Sequence, residues 1–193
     1  IKKIVYQGVE GAYSHIVTHT LFPDADTENV NTFEDAINSV LNGEASYCVV
    51  PIENSSAGIV TDIFDLLLKK DVVIVAEYDL HISHCLLGIK GASFSDIKIV
   101  YSHPQALMQC ASYLKEHPEW SQISLLNTAV SAKKVKNEGK IDQAAIASEL
   151  SAKLYNLDIL DRGINRNSNN TTRFVVLSKE KIFSKNSNKL SLI

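Results

Sequence analysis

The chain has 193 residues, of which 45% are hydrophobic and 21% are charged, and its formal net charge at pH 7 is −3. This composition is typical of a globular protein that is long enough to bury a sizeable core, in one domain or in two small lobes. The sequence contains no basic patch with interleaved aromatic residues and no apolar run of membrane-spanning length. Both observations argue against nucleic-acid and membrane partners.

The cysteines and the N-terminal residues indicate the cellular compartment in which the protein is expected to work. Cys48, Cys85 and Cys110 are few, odd in number and set among apolar residues, which predicts reduced, buried thiols in a cytoplasmic protein. The N-terminus shows no secretory hydrophobic region. Because the chain begins with Ile1 rather than Met, we expect it to be a piece of a longer polypeptide or a processed form.

Strands and helices alternate through the first half of the chain. Apolar runs predict strands over residues 1–6, 47–50 and 72–76, and helices are predicted over residues 12–21, 32–42 and from about residue 60 to 70. The turn before the first helix contains Gly8 and Gly11 and either holds an anion on its free N–H groups or is a plain tight turn. Thr32 and Asp35 resemble a capping box at the start of the second helix, and Leu68 is placed on the apolar face of the third.

The second half begins with one long predicted strand, residues 80–89, which carries His81 and His84. Residues three apart point to opposite faces of a strand, so a shared metal site is not expected. Further strands are predicted over residues 97–101, 121–126, 144–147, 157–160 and 174–177, and further helices begin at Pro104, Asn127 and Ser148. His103, just before Pro104, is predicted to cap a helix, with a catalytic base as the alternative.

This alternation predicts an α/β protein with largely parallel sheets and helices on both faces. A change of pattern near Tyr78 suggests two lobes, residues 1–78 together with 164–193 and residues 79–163. The last strand comes late enough in the chain to return to the first lobe. The polar strand-end loops are then expected to face a cleft, where open α/β sheets bind ligands.

Two polar segments lie where a loop and a predicted strand meet, residues 51–58 and residues 169–173. The second segment presents an amide, a hydroxyl and a guanidinium together. All three arginines of the chain, Arg162, Arg166 and Arg173, lie just before or within it. Arginine grips a carboxylate with a planar fork, although composition alone favours a surface turn with incidental arginines.

Three motifs in these regions resemble those of the prephenate dehydratase family. They are Asn-Thr-Thr-Arg-Phe at 170–174, Pro-Ile-Glu-Asn-Ser at 51–55 and Ser-His-Pro-Gln-Ala-Leu at 102–107, and they occur in the family's order. The opening turn departs from the family pattern at Val9 and Ala12. Residues 13–15, Tyr-Ser-His, are similar to the forms fused behind a chorismate mutase domain.

The resemblance implies conversion of prephenate to phenylpyruvate, water and carbon dioxide, a step of phenylalanine biosynthesis, without a metal or organic cofactor. It implies a fold like the type II periplasmic binding proteins, with the active site in the cleft between the lobes. Members of the family commonly form dimers and carry a C-terminal ACT domain that binds phenylalanine. Residues 189–193 resemble the first strand of that domain, so feedback inhibition is not expected in this piece.

The resemblance also implies roles for residues at the matching positions. Thr172 is the candidate donor to the leaving hydroxyl, Asn54 and Gln105 are neutral amide donors, and Arg173 is expected to pair with a substrate carboxylate. The other candidate substrate-binding residues are Glu53, Ser55, Ser14, Ser102, Thr128, Asn170 and Phe174. As the alternative, Asn54, Ser55 and Thr128 only cap helices and Glu53 only pairs with a lysine. A further alternative makes Glu53 the proton donor, provided that burial keeps it protonated.

Two other functions remain open at this point. Arogenate dehydratase performs the same chemistry on the aminated substrate, and the sequence does not separate it from prephenate dehydratase. A non-catalytic module that binds small carboxylates is the second alternative, because the implied fold is shared with solute-binding proteins.

Overall fold

The computed structural model describes residues 3–165 and 169–181. Its strands, in chain order, are β1 Lys3–Gln7, β2 Asp26–Val30, β3 Tyr47–Asn54, β4 Gly58–Ile59, β5 Val73–His81, β6 Cys85–Gly88, β7 Ile99–Ser102, β8 Ser121–Ser124, β9 Gln143–Ala147, β10 Asp158–Arg162 and β11 Thr171–Ser178. Its α-helices are α1 Tyr13–Leu21, α2 Phe33–Leu41, α3 Thr61–Lys69, α4 Pro104–Gln109, α5 Ala111–Leu114, α6 Thr128–Glu138 and α7 Glu149–Tyr155, and Phe94–Asp96 forms a 3₁₀ turn.

The described chain divides into two compact units. The first comprises the residues up to Val9, Ser14–His81 and the residues from Thr171 onwards. The second comprises Glu10–Tyr13 and Ile82–Asn170. Each unit contains one sheet, so the protein is an α/β protein with two lobes.

The sheet of the first unit has the strand order β2-β1-β3-β11-β5, and β4 pairs with β3. Strand β1 is parallel to both of its neighbours, whereas β11 is antiparallel to β3 and to β5. Because β11 opposes both neighbours, β5 runs in the same direction as β3. The strands β1, β2, β3 and β5, which are linked through helices, therefore all share one direction.

The sheet of the second unit repeats this arrangement in the order β10-β6-β9-β7-β8. Strand β7 is parallel to β8 and β9, and β6 is antiparallel to β9 and β10. Both sheets are thus mixed, but in each of them four strands share one direction, which confirms the prediction of largely parallel sheets. The exceptions are β6, β11 and the short β4, which is antiparallel to β3. The chain enters β6 and β11 directly from the other unit rather than through a helix.

The predicted lobe boundaries shift by a few residues. Strand β5 remains paired with β11 as far as His81, opposite Thr171, so the first unit continues past residue 78. In the other direction, Ile164 is buried in the core of the second unit, which extends to Asn170. The short segment Glu10–Tyr13 also belongs to the second unit, because the Gly11 carbonyl accepts hydrogen bonds from the hydroxyls of Ser148 and Ser151 at 3.1 and 3.2 Å. Residues 189–193, the expected start of an ACT domain, lie outside the described residues.

Strand alternation explains how the second unit covers both faces of its sheet. Leu86, Val100 and Ile146 point to one face and pack with residues of α4 and α5. Their neighbours Leu87, Tyr101 and Ala145 point to the other face and pack with residues of α6 and α7. The first unit packs α2 and α3 against residues of β1, β3 and β11. No helix in the described part of the chain is long and apolar enough to cross a membrane.

Several predicted elements have different ends. Strand β3 continues through Asn54, into the segment that was predicted to be irregular. The predicted strand 80–89 is interrupted, because β5 ends at His81 and β6 begins at Cys85. Leu68 is 69% exposed and does not lie on the buried face of α3.

Candidate active site

The two best-matching motifs meet at a pair of adjacent strands. Asn54 at the end of β3 lies directly opposite Thr172 near the start of β11, and its Nδ2 donates to Thr172 Oγ1 at 2.8 Å. The Asn54 Oδ1 accepts hydrogen bonds from the N–H groups of Ser56 and Ala57 at 2.9 and 3.0 Å. This turn at the end of β3 fixes the amide, because it engages the oxygen and directs the nitrogen to Thr172.

The direction of the Asn54–Thr172 bond determines what the hydroxyl does next. An amide nitrogen only donates, so the Thr172 oxygen must accept. The hydroxyl hydrogen is therefore left to donate to another group. A hydroxyl that accepts one hydrogen bond becomes a better donor in the next, because hydrogen bonds in a chain polarise one another.

Ser55 continues the pairing of the two segments past the last residue of β3. Its backbone N–H donates to the Thr171 carbonyl at 2.9 Å, and its Oγ accepts from the Thr171 N–H at 3.0 Å. Both bonds hold the two backbones together at the position next to the Asn54–Thr172 pair. This gives Ser55 a fastening role in addition to the substrate-binding role that the resemblance implied.

Arg173 has different partners from Thr172. Its neighbours across the sheet are Glu53 on β3 and Asp79 on β5, and successive side chains of a strand point to opposite faces. The guanidinium Nε and Nη2 donate to the Asp79 carboxylate at 2.9 and 3.3 Å, and Nη1 lies 3.6 Å from Glu53 Oε2. The hydrogen bond and charge of Asp79 raise the pKa of Arg173 further above its usual range. The fork that was predicted to hold a substrate carboxylate is occupied by Asp79.

The Glu53 side chain is 49% exposed. It lies beside Arg173 rather than in the apolar pocket that a protonated carboxyl requires. The next residue of β3, Asn54, points to the opposite face of the sheet and bonds Thr172 there. The burial that the proton-donor alternative for Glu53 requires is therefore not observed.

The third motif lies in the second unit, where β7 leads into α4. The His103 Nδ1 accepts from the Gln105 N–H at 3.1 Å and caps the helix, and Pro104 occupies its first turn. Burial lowers the pKa of His103, which keeps the ring neutral and able to accept. The capping role that was preferred for His103 is therefore the one observed.

The Gln105 side chain ends in a buried donor. Its Nε2 is buried and has no hydrogen-bond acceptor among the described residues. Leaving such a donor unpaired costs about 1–3 kcal/mol, and buried polar groups without a protein partner call for an explanation such as a ligand. The side chain is thus well suited to donate to an oxygen that a bound molecule supplies.

The remaining candidates are engaged inside their own units. The Ser14 Oγ donates to the Gln7 carbonyl at 2.6 Å, and the Ser102 Oγ donates to the Ile146 carbonyl at 2.7 Å. Phe174 is 3% exposed and belongs to the buried part of β11. Each of these three side chains is therefore bonded or buried within its own unit.

Thr128 and Asn170 are also buried within the second unit. Thr128 begins α6, whose N-cap is the neighbouring Asn127, with Oδ1 accepting from the Val130 N–H at 2.8 Å. The Asn170 carbonyl accepts from the Ile82 N–H at 2.7 Å. The alternative role for Thr128 was to cap helix α6. The structure gives that role to Asn127 instead.

Asp79 was not identified from the sequence. It stands in a stretch predicted to begin a long strand of the other lobe, and its partner Arg173 lies 94 residues further along the chain. A pairing of β5 with β11 would have placed the two side chains side by side. The sequence alone does not single out Asp79, because Glu77 is a second carboxylate near the end of the same strand.

These features define a two-unit α/β protein whose candidate site is built from hydroxyl and amide donors rather than from metal ligands or charged acids. The chain belongs to the prephenate dehydratase family, since the family model described as "Prephenate dehydratase" matches residues 4–182. The resemblance carried by the three motifs is thereby confirmed.

Individual relatives agree with this assignment. The chain is 37% identical over 186 residues to a bifunctional chorismate mutase/prephenate dehydratase of Buchnera aphidicola, with 94% of this chain and 48% of the relative covered. It is 43% identical over 178 residues to arogenate dehydratase/prephenate dehydratase 1, chloroplastic, of Arabidopsis thaliana, with 92% and 45% covered. The chain therefore spans about half the length of these curated relatives.

A solved structure has a similar fold. The prephenate dehydratase from Arthrobacter aurescens, determined in complex with L-Phe, superimposes with a TM-score of 0.89 at 27% sequence identity. The match covers 96% of this chain and 63% of that one. The α/β fold derived from the sequence pattern is thus that of the family.

Proposed function

We propose that this chain is a carbon–oxygen lyase that converts prephenate to phenylpyruvate, water and carbon dioxide. The observation that carries the proposal is the Thr172 hydroxyl, which Asn54 orients at 2.8 Å while leaving its hydrogen free to donate. The family assignment and the unpaired Gln105 donor support it.

In this reaction the bond between the ring and one carboxylate breaks, and its electrons form the last double bond of the aromatic ring. The ring hydroxyl leaves on the opposite side as hydroxide. The prephenate dianion thereby gives carbon dioxide, hydroxide and the phenylpyruvate anion, so that charge and atoms balance, and solvent supplies the proton that turns hydroxide into water. A donor aimed at the departing oxygen stabilises the charge that develops there.

Thr172 is the residue proposed for that contact. A threonine hydroxyl holds its proton too tightly to act as a full acid near neutral pH, but an oriented and polarised O–H can stabilise a developing negative charge. Gln105 is proposed to donate to another substrate oxygen, because its buried Nε2 has no acceptor in the described chain. Neutral donors suit a dianionic substrate, because they donate hydrogen bonds to it without adding a negative charge that would repel it.

The direct test is to mix the protein with prephenate and to follow the absorbance of phenylpyruvate. Arogenate is assayed side by side, because a relative carries both activities in its name. Turnover of prephenate at a higher kcat/KM than arogenate is the expected result. A folded protein that turns over neither compound would contradict the proposal and favour a binding module.

The proton donor can be distinguished through Glu53. We expect Glu53→Gln to keep substantial activity and the wild-type kcat to be nearly flat across the neutral pH range. The reason is that Thr172, Asn54 and Gln105 do not titrate there. The measurement is kcat against pH for both proteins. A wild-type kcat that falls tenfold per pH unit, together with an inactive Glu53→Gln, would make Glu53 the acid.

Arg173 is proposed to hold β11 in register with β5, because its fork binds Asp79. We expect Arg173→Lys and Asp79→Asn to change KM similarly and by less than about fivefold, since exposed ion pairs contribute at most about 1 kcal/mol. Steady-state kinetics of the two variants test this. A large rise in KM for Arg173→Lys with an unchanged Asp79→Asn would instead make the guanidinium a ligand of the substrate carboxylate.

We also propose that the chain works in the cytoplasm. The support is that Cys48, Cys85 and Cys110 are all buried and unpaired, as expected in a reducing compartment. We propose further that it acts beside a chorismate mutase activity, because a relative that it matches over 94% of its length is bifunctional.

A further inference from the structure

A buried histidine in the second unit links helix α4 to Tyr13, which belongs to the same unit. His84 is 2% exposed, and both of its ring nitrogens are engaged. Its Nε2 lies 2.8 Å from Gln109 Oε1, and its Nδ1 lies 2.8 Å from the Tyr13 hydroxyl. Within the second unit these contacts form a continuous chain from Tyr13 through His84 to Gln109.

The partners define the proton positions in this chain. The Gln109 oxygen can only accept, so the His84 Nε2 carries the hydrogen and donates. The Nδ1 lone pair then accepts from the Tyr13 hydroxyl. Burial lowers the pKa of His84 and raises that of Tyr13, which keeps the imidazole neutral and the phenol protonated, as this arrangement requires.

The backbone of His84 is fixed as well. Its N–H donates to Asn165 Oδ1 at 3.1 Å, and its carbonyl accepts from the Ile164 N–H at 3.1 Å. The Asn165 Nδ2 also donates to the Ile82 carbonyl at 2.9 Å. The imidazole is therefore presented from a rigid support rather than from a mobile loop.

The far end of the chain is helix α4, which carries Gln105. The helix has six residues, and a helix this short has too few internal hydrogen bonds to be stable by itself. His103 anchors its first turn, whereas the bond from His84 to Gln109 anchors its last residue. Gln105 and Gln109 are four residues apart and so lie on the same face of the helix.

From this geometry we propose that His84 is a positioning residue, which holds Gln105 in place through its hydrogen bond to Gln109. The inference rests on the proposed function, in which Gln105 donates to the substrate. Without the anchor at Gln109, α4 loses one of the contacts that fix its rotation about its own axis, although Ala106 and Leu107 still pack in the core. The Gln105 side chain then loses the fixed backbone position from which it is proposed to donate.

A matched pair of substitutions distinguishes the roles of the two ring nitrogens, because each variant keeps only one of the two hydrogen bonds. In His84→Gln, the side-chain amide reaches the position of Nε2 and can still donate to Gln109. In His84→Asn, the shorter amide replaces Nδ1 and can still accept from Tyr13, but the bond to Gln109 is lost. Both variants lose the ring and its packing, and they differ from each other by one methylene group.

For prephenate turnover we expect His84→Asn to lower kcat about tenfold, and His84→Gln to stay within about threefold of wild type, in proportion to one lost hydrogen bond. In a Gln105→Leu background the difference between the two His84 variants should vanish, because the group that His84 positions is gone. Gln143→Leu serves as the control. It removes a buried amide of the same unit, bonded to Glu138, and its effect should simply add to that of Gln105→Leu.

A second readout does not depend on catalysis. The chain has five glutamines, so the side-chain NH₂ signals of ¹⁵N-glutamine-labelled protein can be assigned with single substitutions. We expect the Gln105 signal to shift in His84→Asn and to stay in place in His84→Gln. Equal signals and equal kcat in the two variants would overturn the positioning role. If the NMR shift appears but prephenate is not turned over, the positioning role stands and the proposed function fails.

Discussion

Thr172→Ala is expected to lower kcat by about 100- to 1,000-fold with little change in KM. A loss of kcat of this size is typical when an enzyme loses one preorganised hydrogen-bond donor to a negative charge that develops in the transition state. The asymmetry follows because the contact with the leaving oxygen strengthens only as the carbon–oxygen bond breaks, so that its loss raises the barrier without weakening ground-state binding. Steady-state kinetics with prephenate measure both parameters.

Two further variants at this place serve as controls. Thr172→Ser keeps the hydroxyl and should retain most of the activity. Thr171→Ala makes the same chemical change one position earlier on β11, where the backbone rather than the side chain bonds Ser55, and should have a small effect. If Thr172→Ala has a near wild-type kcat, Thr172 is not the donor.

Asn54→Asp is expected to reduce kcat about 100-fold, although it changes few atoms. The Oδ1 acceptor for the N–H groups of Ser56 and Ala57 is retained, so the turn at the end of β3 is preserved. The Nδ2 donor, however, is replaced by a carboxylate oxygen 2.8 Å from Thr172. That oxygen accepts the Thr172 hydrogen, and the hydroxyl is turned away from the substrate.

The added charge gives this variant a second signature. A carboxylate close to a dianionic substrate repels it, so KM should rise as well as kcat fall. Asn54→Ala removes the donor without adding charge and should affect KM less, though it also removes the turn. A kcat in Asn54→Asp that equals that of wild type would show that the Asn54–Thr172 bond has no part in catalysis.

Local signals predicted most of the helices and strands. The pair Thr32 and Asp35 marks the start of α2, where both expected bonds are present at 3.0 and 3.2 Å. Strand β2 was not predicted, because Asp26–Val30 is a polar edge strand with little burial. An edge strand is formed by pairing with its neighbour, and nothing in its own pattern distinguishes it from a loop.

The motifs identified residues of the candidate site, but they did not predict which of these residues contact one another. Asn54 and Thr172 are 118 residues apart, and their contact depends on the register of β3 against β11. Whether a hydroxyl faces a ligand or a neighbouring carbonyl depends equally on packing, as Ser14 and Ser102 show. The ion pair between Arg173 and Asp79 could not be predicted for the same reason, since it depends on the pairing of β11 with β5.

The position of β11 has a consequence for synthesis on the ribosome. A nascent chain that has emerged as far as residue 170 contains every strand of the second unit's sheet, but it lacks the strand that joins β3 to β5 in the first. Until Thr171–Ser178 has emerged, β3 and β5 expose unpaired edges of the kind that promote aggregation. The second unit can therefore complete its sheet first. The strand that completes the other sheet also carries Thr172, so the proposed donor reaches its place beside Asn54 only when that sheet is complete.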